Sequence, residues 1–387
     1  MTVSLPATNF PGAREWFSLD RGLAFLNHGS MGAVPLPVQR AHRRLLDEDE
    51  LDPRTFHHAA TDRLRLTREA VCPLIKAPVE RTTFVPNTTT GVAVVFNSFD
   101  WRPGDEILST NHRYPSIAFN IAGTARRHGL VDTVVTLPLT PTDEEVVETV
   151  LAGVTERTRL VVIDEITSAT ARLFPVAALA ARLRRHGVPL LVDAAHVPGH
   201  LPVDVEAHGA DFWVGNLHKW AFAPRGTAVM AVSAEWADRV RPLQHSYGDA
   251  DGFPSNIEFH GTASYCGWIA AADGARFLEE LGPDEVRAHN AQLAHWGQRQ
   301  IAEALGVTVE DPGESPLAMR LLPLPGGVVS SQDGADALWR TLRTELRTEV
   351  SVIHWEGQGL LRIAAQVYNR PAEYQRLAEG LRELVRR

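Results

Sequence analysis

Of the 38 basic residues in this 387-residue chain, only Lys76 and Lys219 are lysines; the rest are arginines. Codon use in a GC-rich genome would produce that bias by itself. Arginine, however, stays protonated, whereas lysine can lose its proton and act as a nucleophile, a base or a Schiff-base partner. Each lysine is therefore a candidate for chemistry that arginine cannot perform. Lys76 sits between Ile75 and Ala77 and reads as a surface residue. Lys219 lies in Asn216-Leu217-His218-Lys219-Trp220, directly after the apolar run Ala210–Gly215. A lysine at a strand end, beside a histidine and apolar neighbours, suits nucleophilic or base chemistry; an ordinary surface lysine is the plain alternative.

Two further groups stand at comparable places. Asp193 ends the apolar run Val188–Val192 and opens Asp193-Ala194-Ala195-His196. A carboxylate there is partly desolvated and needs a cation or donor to stay ionised, although an Asp capping a following helix would look the same. Asn87-Thr88-Thr89-Thr90-Gly91 follows the short strand Thr83–Val85 and leads into an apolar helix over Val92–Phe99. Hydroxyls and N–H groups at a helix start make an anion cradle; a plain Thr cap has the same appearance.

The elements that must position these groups alternate along the chain. Apolar strands are expected at Glu106–Ser109, Val135–Pro138, Arg159–Ile163, Val188–Val192, Ala210–Gly215 and Thr227–Val232. Helices are expected over Ser116–His128 and Val176–His186. Continuous apolar strands separated by helices imply a mostly parallel sheet covered on both faces, with ligands at the carboxyl ends of the strands. After about residue 255 the pattern becomes α+β. Amphipathic helices are expected at Ile269–Leu281, Asp284–Leu305 and Pro371–Arg387, with short strands at Leu317–Leu322, Val350–His354 and Leu360–Ala365. The expected organisation is an arm at 1–30, a large domain at 31–255 and a small C-terminal domain at 256–387.

Composition excludes several classes. A net charge of −9 argues against a nucleic-acid surface. Two cysteines, Cys72 and Cys266, cannot form a disulfide framework, and no CxxC spacing is present. The first ten residues lack a signal-peptide pattern and no stretch approaches ~20 apolar residues. Pro198 and Gly199 interrupt the His196/His200 pair, and the neighbouring His57 and His58 would diverge on a helix, so no metal site is expected. A cytoplasmic, globular protein acting on a small molecule is the expectation.

An anion cradle, a strand-end Asp and an isolated Lys together match the needs of pyridoxal 5'-phosphate: a phosphate site, a carboxylate for the pyridine nitrogen and a Schiff-base lysine. The motifs FLNHGSMGAVP (25–35), FVPNTTTGV (84–92), STNHRYPS (109–116), DEITSATARLFP (164–175), VDAAHVPG (192–199), VGNLHKW (214–220) and LRIAAQVYN (361–369) carry a resemblance. The chain resembles fold-type I, class V aminotransferase-like enzymes, in the branch of isopenicillin N epimerase and cysteine-conjugate C–S lyases. The fold this implies is α/β, a mostly parallel seven-stranded-type sheet flanked by helices, with a smaller α+β domain.

The resemblance also implies roles. Lys219 is the Schiff-base lysine and Asp193 the partner of the pyridine nitrogen. Ser168 and His196 lie near the ring hydroxyl. Thr88, Thr89, Asn216 and His218 hold the phosphate. His112 stacks on the ring and serves catalysis, with Tyr114 as the alternative stacker. Gly261-Thr262 reaches the phosphate of a partner subunit, so a homodimer with shared sites is expected. Arg362 takes the substrate carboxylate, with Asn27, His28 and Tyr114 on the substrate side. Three departures from the family pattern lie at the expected rim of the pocket: Glu165 replaces a common His, Ala263 and Ser264 replace an Arg-Asp pair, and Asn216 replaces a Ser found in some relatives.

For the reaction, the reading favours cleavage of Cβ–S in an S-substituted cysteine, a type of step used in secondary metabolism and antibiotic biosynthesis. The alternatives are decarboxylation coupled to oxidative deamination of such a conjugate, epimerisation or transamination of an amino acid, and a non-catalytic binding protein on the same fold. Epimerisation would need a second acid, for which His28, His112 and Tyr114 are the candidates.

Overall fold

The computed structural model describes residues 9–309 and 315–386. The beginning of the expected 1–30 arm and Arg387 of the expected last helix lie outside the described residues. The chain divides into two compact units. One comprises the chain up to Leu36, Ala169–Ala171 and Leu278–Arg387; the other comprises Pro37–Ser168 and Arg172–Phe277.

The first unit joins both ends of the chain. Strand β1 (Ala24–Phe25) pairs in parallel with residues 348–349 near the C-terminus, which is why the N-terminal segment groups with the later residues.

The larger unit is built on seven strands: β2 (Thr82–Val85), β3 (Glu106–Thr110), β4 (Val131–Val135), β5 (Thr158–Asp164), β6 (Leu190–Asp193), β7 (Phe212–Asn216) and β8 (Ala228–Val232). Their order is β2-β8-β7-β6-β5-β3-β4. β3 to β7 are mutually parallel, and β8 is antiparallel to both of its neighbours. β6, β7 and β8 are buried at every residue, as expected for strands covered on both faces. Val92, Val95 and Phe96 of the helix Thr88–Asn97 share a core with Leu191, Phe212, Val214 and Met230. Gly91 permits this seating, because a Cβ there would lie 2.5 Å from Val214 Cγ1.

The strand expected at Val135–Pro138 is instead β4, which ends at Val135. Beyond it the Asn111 side chain brackets Leu137, accepting its N–H at 2.9 Å and donating to its carbonyl at 3.0 Å. Those bonds replace a sheet ladder.

The smaller unit continues with β9 (Met319–Pro323), β10 (Thr348–Glu349), β11 (Ser351–Trp355) and β12 (Gln358–Ala364). β9, β11 and β12 form an antiparallel sheet in the order β11-β12-β9. Leu293, Trp296, Ile301, Leu322, Leu361, Ile363, Tyr374 and Leu377 form its core, drawn from the helices Pro283–Leu305 and Pro371–Arg386 and the sheet.

The structure divides the chain at 277/278, not at the expected 255/256. Residues 256–277 stay with the large sheet for identifiable reasons. Buried Glu258 pairs with buried Arg68 and accepts the N–H of Phe84 in β2 at 3.0 Å. Gly274 lies so close to the Ala221–Ala223 backbone that a Cβ would be 2.7 Å from Ala221 O. Among the described residues no helix is long and apolar enough to cross a membrane.

Candidate active site

The carboxyl ends of β5, β6 and β7 deliver Asp164, Asp193 and Asn216. Asp193 is 2% exposed, and its Oδ1 accepts the N–H of Ala195 at 3.0 Å. Burial pushes its carboxyl up to about 6, against the opposing pull of the Ala195 N–H and the charge of Lys219. A buried carboxylate at a strand end, with one cation to answer it, can hold a proton on a ring nitrogen.

Lys219 Nζ lies 3.2 Å from His196 Nε2. The loop carrying Lys219 is held by close backbone approach. Gly199 has φ +82°, and a Cβ there would meet Trp220 O at 2.5 Å. His200 stacks on Trp220 with ring centroids 4.1 Å apart, while its Nδ1 lies 3.0 Å from His196 O. VDAAHVPG and VGNLHKW are thus two faces of one packed turn.

The cradle is capped by Asn87, not by a threonine: its Oδ1 accepts from Thr90 N at 2.8 Å. The helix begins at Thr88, four residues before the expected Val92, because that cap satisfies its first turn. Asn216 Oδ1 accepts the N–H of Thr88 at 3.0 Å, which ties the helix start to the end of β7. The Thr89 carbonyl accepts from Asn120 Nδ2 at 3.0 Å. Thr88 Oγ1 is buried without a hydrogen-bond partner among the described residues. A buried hydroxyl left unpaired costs stability, and an anionic oxygen at the helix start would satisfy it. The residues therefore fit a phosphate monoester.

His218 Nδ1 lies 2.9 Å from the Thr227 carbonyl, which can only accept, so the proton is on Nδ1. Burial, aided by Lys219, lowers its pKa to about 4. The imidazole is neutral, and a nearby phosphate would draw a proton onto its Nε2.

His112 is buried, with Nε2 3.0 Å from the Pro138 carbonyl and its ring edge-on to Phe174 at 5.4 Å. The Arg113 guanidinium anchors the same loop to Asp132 at 2.5 and 3.0 Å and to Ser109 at 2.8 Å. Tyr114 is 40% exposed and caps the helix Pro115–His128. Ser168 lies in a loop closed by the Ile166/Leu173 bridge and by Arg172 N donating to Thr167 Oγ1 at 2.8 Å. Thr262 is exposed on a loop in which Tyr265 OH donates to Gly261 O at 3.3 Å.

The substrate-side residues Asn27, His28 and Arg362 belong to the smaller unit. Arg362 is buried mid-strand in β12 and donates to Asn27 Oδ1 at 3.3 Å. Asn27 Nδ2 in turn donates to Glu349 Oε1 at 3.2 Å. His28 Nδ1 accepts from Ala33 N at 3.4 Å and lies 2.9 Å from Tyr368 OH.

Two acidic residues take places that sequence reasoning did not assign. Asp164 is buried in register with Asp193; the position of DEITS at a strand end was the available signal. Glu165 was expected at the pocket rim. It instead accepts from Trp213 Nε1 at 2.9 Å, and burial pushes its pKa up to about 7. Side chains alternate across a strand, so Trp213 and Glu165 take the face opposite to Val214 and Asp193. Among the described residues, no group of three or more His, Cys, Asp or Glu side chains could hold a metal ion.

Comparison with known proteins points to the same cofactor. The aminotransferase class-V family model matches residues 51–377. The chain is 32% identical to an isopenicillin N epimerase of Amycolatopsis lactamdurans, over 98% of this chain and 99% of that one. It is 30% identical to an L-cysteine desulfhydrase of Arabidopsis thaliana, over 94% and 88%, and 24% identical to a hercynylcysteine sulfoxide lyase of Schizosaccharomyces pombe, over 96% and 96%. A solved structure of C-DES with glycine covalently linked to its PLP cofactor matches with a TM-score of 0.84 at 19% identity, covering 96% of this chain and 99% of that one. Fold and site together define a pyridoxal-phosphate enzyme of fold type I. The chain belongs to the class-V aminotransferase family.

Proposed function

We propose that the chain is a C–S lyase that converts an S-substituted cysteine and water into a thiol, pyruvate and ammonia. One observation carries the choice of elimination over epimerisation. Two of the three candidate second acids have a ring nitrogen engaged by the chain itself: His112 Nε2 with the Pro138 carbonyl, and His28 Nδ1 with Tyr368 and Ala33. The third, Tyr114, is partly exposed, at the N-cap of the helix Pro115–His128. A single base then serves the Cα proton. Relatives described as an L-cysteine desulfhydrase and a hercynylcysteine sulfoxide lyase support sulfur chemistry.

Bound pyridoxal phosphate supplies an electron sink for negative charge developing at Cα. The chain's residues do the rest. Thr88, Thr89 and His218 would hold the phosphate, with Asn216 fixing the helix start. Asp193 would keep a proton on the ring nitrogen, and His196 and Ser168 would serve the ring hydroxyl. Lys219 would be the residue that holds the cofactor aldehyde, and its free amine would be the base that takes the Cα proton as the sulfur at Cβ leaves as thiolate. Arg362, oriented by Asn27, is the carboxylate ligand, a task suited to a guanidinium fork.

The same reading includes a homodimer in the cytoplasm, with the Gly261-Thr262 loop serving the partner's phosphate. The exposure of Thr262 supports that arrangement.

A second reading, epimerisation at Cα, is favoured by the 32% identity with isopenicillin N epimerase. Incubating the holoenzyme with S-alkyl cysteines in deuterated water separates them. Equal amounts of thiol, pyruvate and ammonia are expected. Deuterium at Cα of otherwise intact substrate would support the second reading instead.

A further inference from the structure

We propose that Asp164 is a positioning residue for the pyridine end of the cofactor site: a neutral buried acid that braces Asp193 and holds the loop carrying His112. This rests on the reading of Asp193 as the partner of the ring nitrogen. Three structural facts carry it.

First, Asp164 and Asp193 are Cα partners at the ends of adjacent parallel strands, so both side chains stand on the same face of the sheet. Second, both are buried, at 3% and 2% exposure. Third, Asp164 accepts the backbone N–H of Tyr114, two residues after His112 and immediately before the helix Pro115–His128. The loop is therefore fastened on two sides, by Asp164 at Tyr114 and by Asp132 and Ser109 at Arg113.

Electrostatics decides which carboxyl ionises. Two adjacent buried carboxylates cannot both do so cheaply. The charged groups that act on Asp164 are Asp193, which raises its pKa, and Lys219, which lowers it; burial raises it most. Asp193 has the Ala195 N–H and Lys219 in its favour. Asp193 takes the charge and Asp164 keeps the proton. A protonated ring nitrogen held at Asp193 would strengthen that division by adding a second cation.

The role predicts that shape and hydrogen bonding matter at position 164 and that charge does not. Asp164→Asn copies the neutral acid and can still accept from Tyr114. Asp164→Leu cannot. The test titrates pyridoxal phosphate into each apoprotein and follows the visible band of the bound cofactor against pH. Asp164→Asn is expected to keep cofactor affinity within about threefold of wild type and to leave the pH midpoint of the band in place. Asp164→Leu is expected to weaken binding by about tenfold, the loss of one buried hydrogen bond, and to move the band as His112 shifts.

Asp164→Asn binding as weakly as Asp164→Leu, with its apoprotein melting like wild type, overturns the proposal, since charge would then be the requirement. So does Asp164→Leu binding like wild type. If Asp164→Leu does not fold, the Asp164→Asn midpoint decides alone: unmoved supports the neutral acid, shifted overturns it. Asp193→Asn in the same titration is the control. Wild-type behaviour there removes the reading of Asp193, and this proposal with it; failure confined to position 164 removes only the proposal.

Discussion

Lys219 Nζ stands 3.2 Å from His196 Nε2, which joins the last residues of two separate strand–loop segments into one unit. The contact orients the amine before any cofactor arrives. Removing the imidazole by His196→Ala leaves Lys219 without that orienting partner. The expected outcome is an apparent Kd for pyridoxal phosphate raised by about tenfold, the scale of one charge-assisted hydrogen bond. Absorbance titration of the apoprotein measures it. Unchanged affinity would mean that the contact does not prepare the site.

Thr88→Val should act with opposite sign on the empty and the loaded protein. The buried Thr88 hydroxyl has no partner among the described residues, so replacing it by a methyl removes an uncompensated polar group. The apoprotein should melt at the same temperature or higher. Cofactor affinity should fall by about tenfold, since the phosphate loses a donor. Calorimetry of the two forms side by side gives both signs in one experiment.

Glu165 sets a pH dependence that Glu165→Gln should abolish. Burial raises its pKa from 4.5 to about 7. The folded state therefore binds the proton more tightly than the unfolded state. That contribution to stability is complete below the unfolded value and is lost as pH rises through the folded value. Glutamine keeps an acceptor for Trp213 Nε1 and has nothing to ionise. The variant should match wild type near pH 4 and exceed it by about 3 kcal/mol at pH 8. Denaturant unfolding at the two pH values checks this. A constant difference between them would contradict it.

Arg362→Lys keeps the charge but loses the planar fork and its bond to Asn27. If Arg362 takes the substrate carboxylate, kcat/KM for an S-alkyl cysteine should drop by about a hundredfold, while the absorbance of the bound cofactor stays unchanged. Loss of the cofactor band together with activity would instead assign Arg362 a structural role.

The candidate site can be picked out in the sequence where residues end apolar runs. Asp193 and Lys219 stand out where a continuous hydrophobic strand stops, and a parallel sheet makes such places its ligand edge. What stayed hidden depends on partners distant in sequence. The role of Asp164 needs its register with Asp193, and nothing within either segment encodes that pairing. Glu165 lies one residue on, yet strand alternation sends it to the opposite face beneath Trp213. The domain boundary moved to 277/278 because Glu258 returns to Arg68 and to the Phe84 N–H, and because Gly274 packs on the Lys219 loop backbone. The edge strand β4 stopped early because a side chain, Asn111, took over the backbone bonds of Leu137.

The central claim is that Lys219 carries the cofactor, and this chain offers a clean test because Lys76 is its only other lysine. The holoenzyme is reduced with borohydride, digested and mapped by mass spectrometry. The account predicts one modified peptide, containing Asn216–Trp220 with the adduct on Lys219, and none on Lys76. An adduct on Lys76, or a reduced protein that releases all of its cofactor on denaturation, would contradict it.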